Sequence, residues 1–88
     1  MRYLVSESVL VEELQGEAVL LDLKGEGYFS LNAVGLAVWK HLKSGLNREE
    51  IVCELLKHYE VSEEQLERDV SQLMDSLLGA RLIAPQPG

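Results

Sequence analysis

The chain has 88 residues, of which 47% are hydrophobic and 26% charged, with 15 acidic against 8 basic side chains and a formal charge of −7. This length holds one compact core but not two, and the balance is that of a folded domain rather than a disordered segment. The acid excess repels phosphate backbones and removes nucleic acid as a partner, the single Cys53 excludes an internal disulfide framework, and no apolar run approaches the roughly 20 residues of a membrane span.

The start, Met1-Arg2-Tyr3, lacks a signal-peptide pattern, so a cytoplasmic protein is expected. The first third alternates as strands do: Val9 and Val11 share one face of a first segment, and Val19, Leu21 and Leu23 share one face of a second. Gln15-Gly16 forms a tight turn between them, and the glycines of Lys24 to Gly27 turn the chain into a third strand, Tyr28 to Leu31. A three-stranded antiparallel meander follows. In its last strand Phe29 and Leu31 point one way and Tyr28 and Ser30 the other.

Asn32 stands as the N-cap of a first helix, with Val34, Ala37, Val38, His41 and Leu42 on one face and Gly45 at its end. Leu36 and Trp39 lie off that stripe, so this helix is apolar nearly all round and is expected to be the most buried. Loss of Trp39 should damage folding badly. Asn47 with Glu50 reads as a capping box for a second helix, with stripe Ile51, Val52, Leu55, Leu56 and Tyr59, ending near Glu60. Ser62 with Gln65 repeats the pattern for a third, whose stripe Leu66, Val70, Leu73 and Leu77 is widened by Met74 and Leu78. Arg81 to Ile83 reads as a short extended tail, and Pro85 to Gly88 should fray. The fold class is therefore α+β and winged helix-turn-helix-like, a three-stranded antiparallel sheet followed by three helices, with residues 1–84 as one domain and 85–88 as a flexible tail.

No catalytic or metal constellation emerges. At about 100° per residue, Cys53 and His58 project roughly 140° apart on one helix and cannot share a ligand or a proton. The acidic pairs Glu49-Glu50 and Glu63-Glu64 fall in first helical turns, where the helix dipole favours negative charge. The glycines of Lys24 to Gly27 precede no helix and no Lys-Ser/Thr, so they form no phosphate loop. A DNA-reading third helix would need cations, but this one carries Glu63, Glu64, Glu67, Asp69 and Asp75 against Arg68 alone. No cofactor is called for.

The run Gly27-Tyr28-Phe29-Ser30-Leu31-Asn32-Ala33-Val34-Gly35, with Trp39 after it and Asp69-Val70 and Leu77 further on, resembles the PqqD-like recognition domains for ribosomally made, modified peptides. The resemblance extends from the second strand to Leu82, and its most specific part is Leu-Asn-x-x-Gly followed by an aromatic residue. Within that group, Leu21 to Phe29 and the stand-alone length are most similar to the discrete B1 proteins of lasso-peptide biosynthesis. The resemblance implies a non-catalytic protein that binds the leader of a precursor peptide and presents it to a separate leader peptidase of the transglutaminase-like B2 type. A PqqD-type chaperone serving a radical-based modifying enzyme is the alternative, and a winged-helix regulator is disfavoured by the acidic third helix.

Binding would proceed by β-augmentation: an extended leader adds a strand to the free edge of Gly27, Tyr28, Phe29, Ser30 and Leu31. The resemblance places the third helix beside that edge, so Leu66, Val70, Leu73 and Leu77 would line the groove, with Asp69 and Met74 at its margins. Asp69 could pair with a leader Lys or Arg. Period two allows only one of Tyr28 and Phe29 to face the groove. An open edge also leaves room for two copies to pair as a dimer.

Overall fold

The structure is a computed structural model that describes residues 2–25 and 27–86. In chain order the elements are β1 (Tyr3–Val5), β2 (Val9–Leu14), β3 (Glu17–Asp22), β4 (Tyr28–Leu31), α1 (Ala33–Lys43), α2 (Arg48–Leu56), α3 (Glu63–Gly79) and β5 (Ile83–Pro85). β2, β3 and β4 form the expected antiparallel meander, in that spatial order. The fold is the expected α+β, winged-helix-like arrangement of a three-stranded sheet and three helices.

The strand registers sort the side chains by face. Val11, Leu20 and Phe29 stand in one row across the sheet, and Leu31 stands opposite Ala18. These residues face the helices, with Ala18, Leu20 and Leu31 buried. The other face carries the row Leu10, Leu21 and Tyr28. In β3 the parity therefore runs against the apolar count: Val19 and Leu21 are half-buried on the outer face, and the small Ala18 shares the core with Leu20.

One residue joins sheet to helix. Asn32, in extended conformation, separates β4 from α1, and its Oδ1 accepts the N–H of Gly35 at 2.8 Å. A Cβ on Gly35 would lie 3.2 Å from a Leu31 methyl and 3.3 Å from that same Oδ1, tighter than ordinary van der Waals contact. The Leu-Asn-x-x-Gly spacing thus has a local cause: the cap needs the amide, and the strand needs the space. α1 then buries Leu36, Val38, Trp39 and Leu42. Its buried face is turned towards Leu36 and Trp39, leaving Val34, Ala37 and His41 half-buried. The helix ends with Gly45 at φ +91°, the Gly45 N–H donating to Leu42 and the Leu46 N–H to His41, a Schellman closure.

The Asn47–Glu50 capping box is complete, both of its hydrogen bonds measuring 2.9 Å. α2 ends at Leu56, about a turn before the expected Glu60, so Tyr59 lies in the connection to α3. Ser62 caps α3 by accepting from the Gln65 N–H, but the Gln65 side chain turns to Asp69 instead of completing a box.

Two short strands depart from expectation. β1 pairs antiparallel with β5, matching Tyr3 to Pro85 and Val5 to Ile83, and the Gln86 N–H donates to the Arg2 carbonyl. Pro85 and Gln86 are thus held instead of frayed. Proline is tolerated at this terminal strand position because it need not donate to the ladder. The remainder of the expected tail, Pro87 and Gly88, lies outside the described residues.

Candidate functional site

The main-chain geometry of β4 decides what its rim offers. The Asp22 N–H donates to the Gly27 carbonyl at 2.9 Å, which makes these two a hydrogen-bonded pair. Hydrogen-bonded and non-bonded pairs alternate along an antiparallel ladder, so Phe29 and Leu31 turn their backbone groups to β3. Tyr28 and Ser30 turn theirs outward. β4 is the last strand of its sheet, and among the described residues no strand pairs with that outer side.

Beside the rim lies an apolar cleft of about 420 Å³. Leu31, Val34 and Val38 line one side, Leu66, Val70 and Leu73 of α3 the other. Tyr59 and Val61 from the α2–α3 connection, with Gly35 of α1, complete the lining. Asp69 also borders the cleft, its Oδ1 accepting the Gln65 side-chain amide at 2.9 Å. A second hollow, of about 590 Å³, continues at the other end of β4, where Gly27, Tyr28 and Phe29 meet Lys24 and the Ala80–Arg81 end of α3.

The eleven residues expected at the site divide three ways. Ser30, Leu31, Leu66, Asp69, Val70 and Leu73 meet at the apolar cleft, whereas Gly27, Tyr28 and Phe29 border the second hollow. Met74 and Leu77 are fully buried and line neither. Their placement at the groove is corrected: both belong to the core cluster, on the part of the α3 stripe that is closed to the cleft. Of the two aromatics, Phe29 faces the helices and Tyr28, 76% exposed, stands on the outer face.

Asn32, Val34, Gly35, Val38, Tyr59 and Val61 belong to the cleft without having been expected there. One local signal pointed to Val61. It precedes the Ser62 cap and sits with Leu66 four positions into the helix, the spacing of a hydrophobic staple, and both line the cleft.

The charged chemistry lies elsewhere. Glu50 is held below the usual carboxylate range by its hydrogen bond from Arg2, and Glu54 by that from Lys57, and neither lines the cleft. Cys53 is exposed, and among the described residues no group of three His, Cys, Asp or Glu side chains converges as a metal site. No helix among them is long and apolar enough to cross a membrane.

The model of the PqqD family, described as coenzyme PQQ synthesis protein D, matches residues 17–83. No curated protein sequence matches the chain. Among solved structures, TbiB1 in complex with the TbiA(beta) leader peptide is similar at 32% identity and a TM-score of 0.84, with 100% of each chain covered. A lasso peptide synthetase B1 complexed with the leader peptide is similar at 25% identity and a TM-score of 0.84, covering 97% of this chain and 100% of that one.

Proposed function

The chain belongs to the PqqD family, and from that premise we propose that it binds the leader of a ribosomally made lasso precursor peptide and presents it to a separate leader peptidase. The observation that carries this is the β4 rim, where Tyr28 and Ser30 aim unpaired backbone groups outward beside a cleft walled by Leu66, Val70 and Leu73. An extended peptide laid there satisfies both kinds of surface at once. Its main chain continues the ladder, and alternate side chains enter the cleft. Asp69, at the border, supplies a partner for a leader Lys or Arg.

Similarity over 97% or more of the chain to two B1 proteins held with leader peptides supports the lasso reading over a chaperone for a radical-based modifying enzyme. The chain's part is recognition, with chemistry left to the partner enzymes. The acidic surface gives a peptidase carrying a basic patch a means of docking by charge.

Calorimetry with the synthetic leader of a lasso precursor, sought among the neighbouring coding regions, tests the proposal. Stoichiometric binding with a negative heat-capacity change is the expected result, because apolar leader side chains leave water. A folded sample that gives no heat at tens of micromolar overturns it. Co-purification of a transglutaminase-like peptidase with the leader-loaded protein supports the hand-off, and capture of an iron–sulfur radical enzyme in its place would redirect it.

A further inference from the structure

Resting on the leader-binding reading, we propose that the second hollow, at the turn end of the β4 rim, is a subsite for an acidic side chain of the bound strand. The carboxylate is held between Lys24 and Arg81, four residues from the side chain that fills the apolar cleft.

Charge is the first observation. The chain carries 8 basic residues against 15 acidic ones. Arg2, Lys40 and Lys57 are taken up in ion pairs. Lys24 and Arg81, like Lys43, Arg48 and Arg68, enter none among the described residues, and these two alone of the five border this hollow, from different elements, the β3–β4 turn and the end of α3. Asp22 borders it too, its Oδ1 accepting the Lys24 N–H at 3.0 Å, so the two cations and this carboxylate leave the lining one positive charge in excess.

Arg81 supplies the second. It sits at φ +62°, in the left-handed region, directly after the Ala80 cap. Its N–H donates to Leu78 and that of Leu82 to Leu77, the same Schellman closure that ends α1. At the equivalent position α1 uses Gly45, the residue that adopts this conformation at least cost. α3 instead keeps a long cation there, in a backbone state that disfavours it, at the border of the hollow.

Register is the third. A strand added to β4 turns towards the helices those residues that stand opposite Gly27, Phe29 and Leu31, because Phe29 and Leu31 already face that way. The positions opposite Leu31 and Gly27 therefore serve the cleft and the hollow. They are four residues apart, roughly 13 Å at about 3.3 Å per residue.

The labelled synthetic leader that the calorimetry identifies, and variants with each Asp or Glu replaced in turn by Asn or Gln, would be titrated by fluorescence anisotropy. The proteins are the wild type, Arg81→Gly, Lys24→Gln and Leu73→Asp. One acid-to-amide replacement, four residues from an apolar leader residue whose own loss weakens binding, is expected to lower wild-type affinity on the order of tenfold. The same replacement should change Arg81→Gly and Lys24→Gln binding less than about twofold, the sign of a shared contact. Arg81→Gly should also melt no lower than the wild type, since glycine relieves the left-handed backbone, whereas an arginine kept for its favourable charge at the helix C-terminus would lower melting on removal.

Additive effects, or no acid-to-amide replacement that weakens wild-type binding, overturn the subsite. If Leu73→Asp still weakens binding by about tenfold in that case, the leader-binding reading stands without it. Failure of the wild type to bind any leader removes both. Lys24→Gln keeps the test decisive should Arg81→Gly fold poorly.

Discussion

The two rims of the three-stranded sheet are built differently. At the β2 rim Glu12 and Glu13 stand side by side, and Glu13, on the helix-facing side opposite Ala18, pairs with Lys40 of α1 at 3.3 Å. At the β4 rim the sequence Tyr28-Phe29-Ser30-Leu31 carries no charge, and a cleft and a hollow follow one another along it. Both rims end a sheet and so present backbone groups that no strand among the described residues pairs. A charge placed inward on an edge strand must be dragged out of its ion pair or buried before another strand can dock. One rim is thus closed by electrostatics, and the other is left open beside apolar walls.

The change that erases this contrast altogether is at the middle strand. Leu20 is fully buried between both rims, and Leu20→Ala should cost ~2–5 kcal/mol by chemical denaturation. Leader affinity should fall with the folded fraction, and a variant that keeps full stability would show that the core does not close over this strand as described.

Next in size is Ser30→Pro, which deletes one outward N–H at the open rim without touching the β3 pairing. Leader binding should weaken on the order of tenfold or more, through a lost hydrogen bond and the proline ring in the path of the added strand. The melting temperature should move little. Phe29→Pro, one residue away, removes an inward donor and should unfold the hairpin, so equal behaviour of the two variants would refute the assigned ladder parity.

Leu73→Asp separates groove from core along α3. Leu73 is half-buried at the cleft, so this variant should stay folded by circular dichroism and lose leader affinity by about tenfold. Leu77→Asp should instead fail to fold, because Leu77 is fully buried and a lone carboxylate there has no partner.

The smallest effect is expected at the closed rim. Glu13→Leu removes an exposed ion pair, worth up to about 1 kcal/mol, so stability should barely change. Concentration-dependent self-association on gel filtration should appear, as the guarded edge becomes available. A strictly monomeric variant would assign the protection of this rim to something other than Glu13.

Most of the framework was legible in the sequence because its signals are local. Asn32, Asn47 and Ser62 mark helix starts through bonds to amides three residues on. Gly16 at φ +81° and Gly45 mark a turn and a helix end by the backbone state they permit. The β1–β5 ribbon escaped notice because three residues are too few for an alternating pattern, and its partner lies at the other end of the chain. The parity of β3 was hidden by composition, since Val19 and Leu21 outweigh Ala18 in hydrophobicity yet face outward.

The cleft was half legible. Leu66, Val70 and Leu73 fall on one helical stripe, as does Leu77, but nothing in a stripe tells where along its length the core takes over from the groove. Val34, Val38 and Tyr59 reach the cleft from α1 and a connection that meet α3 only in space.

A single residue, Asn32, connects the open rim to α1, and its side chain is tied down within that helix's first turn. Such a joint leaves no hinge between β4 and α1, so a guest strand meets these two elements already set in their mutual angle. The loss of freedom on complex formation then falls almost wholly on the incoming leader, and mutations that stiffen the leader into an extended form should tighten the complex through slower departure.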